Sequence, residues 1–176
     1  MTGEIVLCLP HMKDEKEALE YRAEYFESGE MTIHGDGGLD EATDYRLWVE
    51  QLERDRFPDT VTPGLVPAIT FFGRRTSDDR IVGTIQVRYE LNEYLIKFSG
   101  HIGYGVRPSE RRKGYATQML RLALGHARSM RLRRVLITCN RSNVASARTI
   151  LRCGGAMENE ITCDDGRIVQ RYWIEL

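Results

Sequence analysis

The sequence has little that would staple it covalently or send it to a membrane. Its four cysteines, Cys8, Cys139, Cys153 and Cys163, lie far apart and include no C-x-x-C pair, so neither a zinc knuckle nor a disulfide framework is predicted. No apolar run approaches the roughly 20 residues of a membrane span. The opening M-T-G-E-I-V-L-C-L-P is apolar only briefly and has no basic segment before it, which predicts no signal peptide. Free thiols without an export signal suit a reducing compartment, so a cytoplasmic protein is expected. Excess charge of one sign is missing too: 25 Lys and Arg face 26 Asp and Glu, for a net charge of -1. No global field draws the chain to nucleic acid or to an anionic membrane, and neither is an expected partner. Neither G-x-x-x-x-G-K-[ST] nor G-x-G-x-x-G occurs, which sets aside a nucleotide P-loop and a dinucleotide fold. His34, in H-G-D-G-G, has no companion at metal-ligand spacing, so no metal is expected.

What is present reads as one domain. The 176 residues are 41% hydrophobic and 29% charged, enough to bury a sizeable core. Glu4–Leu9 is a short apolar run ended by Pro10, consistent with a strand. Residues 12–28 place Leu19, Ala23 and Phe26 on one helical face, and a second helix is predicted from Asp40 to Arg54, with Tyr45, Trp48, Val49 and Leu52 along one side. These aromatics at helical spacing read as core. Three prolines make 57–67 a loop. Strands follow at 68–72, at 81–89 with Val82, Thr84, Gln86, Arg88 and Glu90 as its polar face, and at 100–106. Ala116, Met119, Leu120, Ala123, Leu124, Ala127 and Met130 then trace the strongest helical stripe in the chain. Strand 134–139, helix 142–152 and a hairpin around D-D-G complete an α/β order with mixed strand directions.

The segment between strand 100–106 and the long helix carries the chemistry. It reads V-R-P-S-E-R-R-K-G-Y-A. A helix start presents unpaired N–H groups and about half a positive charge, which makes it a phosphate seat. Gly114 removes the Cβ that would keep an anion away. Arg111, Arg112 and Lys113 are unfavourable against the helix dipole unless an anion neutralises both, the kind of local conflict that marks a functional site. By itself the R-R-K run also reads as a solvated basic corner.

This region resembles the GNAT superfamily of N-acetyltransferases. Its [Q/R]-x-x-G-x-[G/A] signature is matched by Arg111 through Ala116. G-Y-G-V-R-P at 103–108 is similar to the family's splayed strand, and I-T-C-N-R-S-N-V-A-S-A-R at 137–148 to the next strand and asparagine-bearing helix. The match spans 67–176, and the wider pattern resembles a bacterial subgroup known only as predicted acetyltransferases. The resemblance implies a GNAT-like fold, with a mostly antiparallel central sheet flanked by helices, over the single domain 1–176. Residues 67–176 would form the acyl-CoA core, and residues 1–60 the wall of an acceptor cleft. It implies acetyl-CoA as co-substrate and an unidentified amine of a small molecule or peptide as acceptor; the sequence leaves room for a homodimer. The amides of Arg112, Lys113, Gly114, Tyr115 and Ala116 would hold the pyrophosphate, with Arg111 or Lys113 reaching the 3′-phosphate. Main-chain groups of Tyr104, Gly105 and Val106 would hold the pantetheine and thioester, with Asn143 and Ser146 of N-x-x-S opposite.

Catalysis is less clearly inscribed. Many GNATs carry a tyrosine seven residues after the helix asparagine, and here that position is Ile150. Substitutes are Tyr104 and a base built from His101 beside Glu90, brought together by the hairpin of the two strands; the same residues also read as a satisfied sheet-face network. Cys139 reads as a small buried hydrophobe rather than a nucleophile. Glu24, Glu27 and Asp44 are the carboxylates offered for attracting a cationic amine. A sensor that binds acyl-CoA without turnover is the alternative that Ile150 supports.

Overall fold

The computed structural model describes residues 3–176. Along the chain run β1 (Ile5–Cys8), α1 (Glu15–Glu27), α2 (Tyr45–Arg54), β2 (Ala68–Arg75), β3 (Ile81–Arg88), β4 (Ile102–Val106), α3 (Tyr115–Ser129), β5 (Arg134–Asn140), α4 (Val144–Arg152), β6 (Ala156–Thr162) and β7 (Ile168–Glu175). Strands β1 to β4 form an antiparallel sheet in chain order, and the second sheet is ordered β5-β7-β6. The two touch through an isolated bridge between Gly100 and Ile137. This is the mixed α/β, mostly antiparallel architecture expected from the sequence.

Both faces of the first sheet are covered. On one, Met119, Leu120, Ala123 and Ala127 of α3 pack on Ile85, Val87 and Ile102, in a core that continues to Ile137 of β5. On the other, Tyr21, Tyr25, Tyr45 and Trp48 of α1 and α2 pack on Phe72 and Ile81. Burying one such side chain contributes about 1.5–3 kcal/mol, against 0–1 kcal/mol for an exposed ion pair. The aromatic stripes are therefore core, as their spacing predicts. Met130, the last residue of the predicted stripe, is exposed at the end of α3.

Three local departures matter for the site. The polar face predicted for β3 is not solvated, because α1 and the 33–40 loop cover it: Thr84 is fully buried, hydrogen-bonded to Tyr21 and to the His34 carbonyl. A register shift at Gly73/Arg74 also breaks the alternation, turning Ile81 toward α1 and Val82 toward α3. The second helix starts at Tyr45 rather than Asp40, since Asp44 caps it by accepting the Leu47 N–H at 3.0 Å. Ahead of that cap, Asp36 accepts the amides of Gly38 and Asp40 at 3.0 and 2.7 Å and ties 33–40 into a loop. Finally, β4 starts at Ile102 rather than Gly100. A π-helical turn over Leu95–Ser99 precedes it, and Gly100 sits at φ 69.

Candidate active site

The site is built where β4 leaves β5. His101 joins the strands through one residue of β5: its N–H donates to the Leu136 carbonyl at 2.7 Å, and its Nδ1 accepts the Leu136 N–H at 2.9 Å. Beyond this point β4 pairs with β3 alone. Arg88 N–H bonds the His101 carbonyl and Arg107 N–H bonds Val82, so the odd residues of β4 are the ones that bond β3. By the alternation of an antiparallel ladder, the N–H and C=O of Ile102, Tyr104 and Val106 point to the opposite edge. The Val106 carbonyl is taken by the Tyr25 hydroxyl at 2.8 Å and by Arg111 Nε at 3.1 Å. The Tyr104 N–H and C=O and the Val106 N–H thus face the gap between the diverging strands.

The chain then turns into α3. Gly114 caps the helix at φ 80, and Arg112 adopts φ 64. The first helical amide with an acceptor is that of Gln118, bonded to Gly114. Among the described residues, the amides from Arg112 to Thr117 have no partner, more than the four that a helix start leaves open by geometry. They cluster at the positive end of a 15-residue helix as a cradle of open N–H groups, a geometry that suits an anion.

The basic side chains around the cradle are less free than their sequence suggests. Arg111 grips Glu30 with both Nη atoms, Nη2 at 3.0 Å, and lies over the Tyr25 ring. Lys113 donates to Glu110 at 2.9 Å, and Glu110 is itself buried against Arg75 at 2.8 Å. Tyr115 is buried and accepts from Arg75 through its hydroxyl, leaving only its amide for the cradle. Arg112 alone of the three basic residues makes no ion pair among the described residues. From α1, Glu24 braces the same turn by accepting from Arg107 Nε at 2.6 Å and the Ser109 amide at 2.7 Å. Burial works against its charge, but these donors hold its pKa down at about 2.

Across the gap stands α4. Asn143 caps it, accepting the Ser146 N–H at 3.0 Å, and Ser146 Oγ lies 2.9 Å from the Tyr104 hydroxyl. Burial raises the Tyr104 pKa, so the phenol stays protonated and able to donate. It reaches α4 one turn before Ile150. Ile150 itself is completely buried in the core, which explains why no donor projects from that position. Cys139 is buried with its pKa pushed up by that burial; it is a neutral thiol.

The structure does not bring together the base suggested by the sequence. Glu90 is exposed past the end of β3, where Tyr89 N–H turns away to bond Pro67; it makes no hydrogen bond or ion pair among the described residues. His101 is 8% exposed, and burial lowers its pKa to about 4. An Nδ1 that accepts a backbone N–H has no lone pair left for a proton, so this imidazole is a structural clasp. The carboxylates offered for a cationic amine fare similarly: Glu24 serves Arg107, Asp44 caps α2, and only Glu27 is exposed without a partner. Among the described residues, no cluster of His, Cys, Asp and Glu could hold a metal.

The 33–40 loop, broken out of the helices by H-G-D-G-G, is part of the site's wall. Gly35, at φ 75, lies so close to β4 that a Cβ would collide with the Gly103 carbonyl. The glycines in H-G-D-G-G were the available signal, since close backbone approach is one of the few reasons for such a cluster. Asp36 is 5% exposed; burial, then the Asp40 carboxylate, push its carboxyl above the ordinary range.

Open amides at the start of α3 and a strand edge that has lost its partner thus lie side by side in a mixed α/β domain. A family model described as an acetyltransferase (GNAT) domain matches residues 7–156, and the chain belongs to this family. Its reaction class is acetyl transfer. A comparison with curated protein sequences finds no match. Among solved structures, the fold is similar to the microcin C7 self-immunity acetyltransferase MccE in complex with acetyl-CoA and AMP, at 18% identity and TM-score 0.72, over 98% of this chain and 93% of that one. A GNAT-family acetyltransferase from Bacillus anthracis is similar at 21% identity and TM-score 0.65, covering 98% and 96%. A variant of the spermidine N-acetyltransferase of Vibrio cholerae gives 14% and 0.65, covering 97% and 94%. Among the described residues no helix is long and apolar enough to cross a membrane.

Proposed function

We propose that the protein moves an acetyl group from acetyl-CoA directly to the amine of a small molecule or peptide in the cytoplasm. The observation that carries this reading is that two sets of unpaired main-chain groups, the Tyr104 and Val106 edge of β4 and the amides of 112–117, flank one short turn. In this reading the pyrophosphate sits on the amides of Arg112 to Ala116. The 3′-phosphate meets Arg112, whose side chain is uncommitted, rather than Arg111 or Lys113. The pantetheine pairs with the Val106 N–H and runs on toward Tyr104, opposite Asn143 and Ser146.

The neutral amine attacks the thioester carbon, and the Tyr104 N–H receives the developing oxyanion, aimed at the gap and free of other partners. Collapse expels the thiolate, and the Tyr104 hydroxyl gives it a proton or a hydrogen bond. The amine proton leaves through water, since neither Glu90 nor His101 is placed to accept it. The acceptor wall proposed for the N-terminal segment is the 33–40 loop, seated on Gly103 and Gly105.

The test is a panel of amines incubated with acetyl-CoA, with released CoA thiol and acetylated product both measured. Turnover that needs an amine supports the proposal. Binding of acetyl-CoA with no turnover on any amine would leave the sensor reading instead.

A further inference from the structure

Arg88, the last residue of β3, shares the face of Thr84 and Gln86, the face that α1 and the 33–40 loop cover elsewhere. It is partly buried, and burial lowers its pKa below the usual arginine value. Among the described residues it has no carboxylate partner; its one hydrogen bond runs from Nη1 to the Gly100 carbonyl at 3.2 Å. The other donors of the guanidinium are unpaired yet not sealed from solvent. Nη1 would lie 4.0 Å from a Cβ on Gly103, so the group sits beside the residue preceding Tyr104. Its charge is also felt by His101, whose pKa it helps lower.

A partly desolvated cation without an anion is costly, and natural chains keep one where a ligand supplies the missing charge. No carboxylate among the described residues pairs with it: Glu90, two residues on, is exposed past the end of β3 and makes no ion pair, and Asp36 and Asp40 of the covering loop are spent on loop amides. The side of β4 that carries Gly103 therefore holds a cation with no anion among the described residues, one residue from the Tyr104 amide.

We propose that Arg88 binds an anionic group of the acceptor, so that the substrate is an amine that also carries a carboxylate, as an amino acid does. This rests on the acetyltransferase reading above. The planar fork of arginine suits a carboxylate bidentately. Phosphate shares that chemistry and is distinguished by the test.

Matched acceptors would be compared with acetyl-CoA: glycine, phenylalanine and glutamate against their amides, and phosphoethanolamine against ethanolamine. The carboxylate members should show kcat/KM about ten- to a hundred-fold above their amides, the worth of a charge-assisted hydrogen bond. Arg88→Met should bring that ratio toward one without lowering the melting temperature, whereas a structural arginine would lower it. If no acceptor in the panel is used, the Arg88 Nε–Hε resonance is followed in the CoA complex during titration with N-acetylglycine, its amide and inorganic phosphate. A saturable shift with N-acetylglycine alone supports the inference. A response to phosphate alone, to the amide equally, or to none of them overturns it. Failure of acetyl-CoA itself to bind would instead overturn the reading on which it rests.

Discussion

His101 holds Leu136 from both sides, donating its main-chain N–H to the Leu136 carbonyl and accepting the Leu136 N–H on Nδ1. That clasp stands at the point where β4 and β5 separate. The imidazole thereby adds a side-chain bond at the last point where the two sheets touch.

The clasp works only while the imidazole is neutral, which fixes its pH dependence. Its pKa in the fold is about 4, below the ordinary 6.5, so the unfolded chain binds the proton more readily. The stabilisation is present above pH 6.5 and is lost as pH falls toward 4, by up to about 3 kcal/mol. His101→Leu leaves the Leu136 N–H buried and unpaired, costing about 1–3 kcal/mol at pH 7. In urea unfolding, the gap between wild type and His101→Leu should shrink between pH 7 and pH 4.5. A gap that stays constant would show that the imidazole does not titrate as described.

Tyr104→Phe removes the hydroxyl that points at Ser146. The loss of one hydrogen bond costs about 1 kcal/mol of stability. If that hydroxyl protonates the leaving thiolate, kcat should fall about 100-fold while the KM for acetyl-CoA holds. An unchanged kcat would confine Tyr104 to bracing α4.

Ile150→Tyr restores the residue many GNATs carry at this position, but here it enters a closed core. Ile150 is fully buried, and its Cγ2 packs directly beneath Gly155. Overpacking of this kind costs about 1–3 kcal/mol, so the variant should unfold at lower denaturant with no gain in kcat. A stable variant with faster turnover would mean that the donor is missing rather than relocated to Tyr104.

Breaking the Glu30–Arg111 pair separates side-chain charge from main-chain recognition. Glu30→Gln should change stability by no more than about 1 kcal/mol, since the pair is exposed. Acetyl-CoA affinity should stay equal or rise slightly, because a released guanidinium adds a cation near the cradle. A large loss of affinity would show that Arg111 must be held by Glu30 for the donor to bind.

The parts of the site that were legible in the sequence are local ones. Gly114 and its neighbours declare a turn because the left-handed residue, the helix stripe and the preceding strand are contiguous. The role of His101 depends on which residue of β5 it meets, 35 positions away, and no spacing rule reveals that. Arg111 reads as free because its partner Glu30 is 81 positions away; the partner of Lys113, Glu110, stands in the motif, but its burial against Arg75 does not show there. Glu90 looked paired because strand alternation was extended past Arg88, where β3 ends. The polar face of β3 misled for a related reason: alternation predicts which residues share a face, and here that face is covered by α1 and the 33–40 loop.

The central claim is that main-chain amides at the start of α3 hold the pyrophosphate of acetyl-CoA. Calorimetric titration of wild type, Gly114→Asn and Gly114→Glu tests it most directly. Both substitutions bear the same positive φ, which asparagine tolerates, and only glutamate places a carboxylate on the cradle. The account predicts that Gly114→Asn retains most of the affinity while Gly114→Glu loses about 100-fold or more. Equal affinity in all three proteins would contradict it.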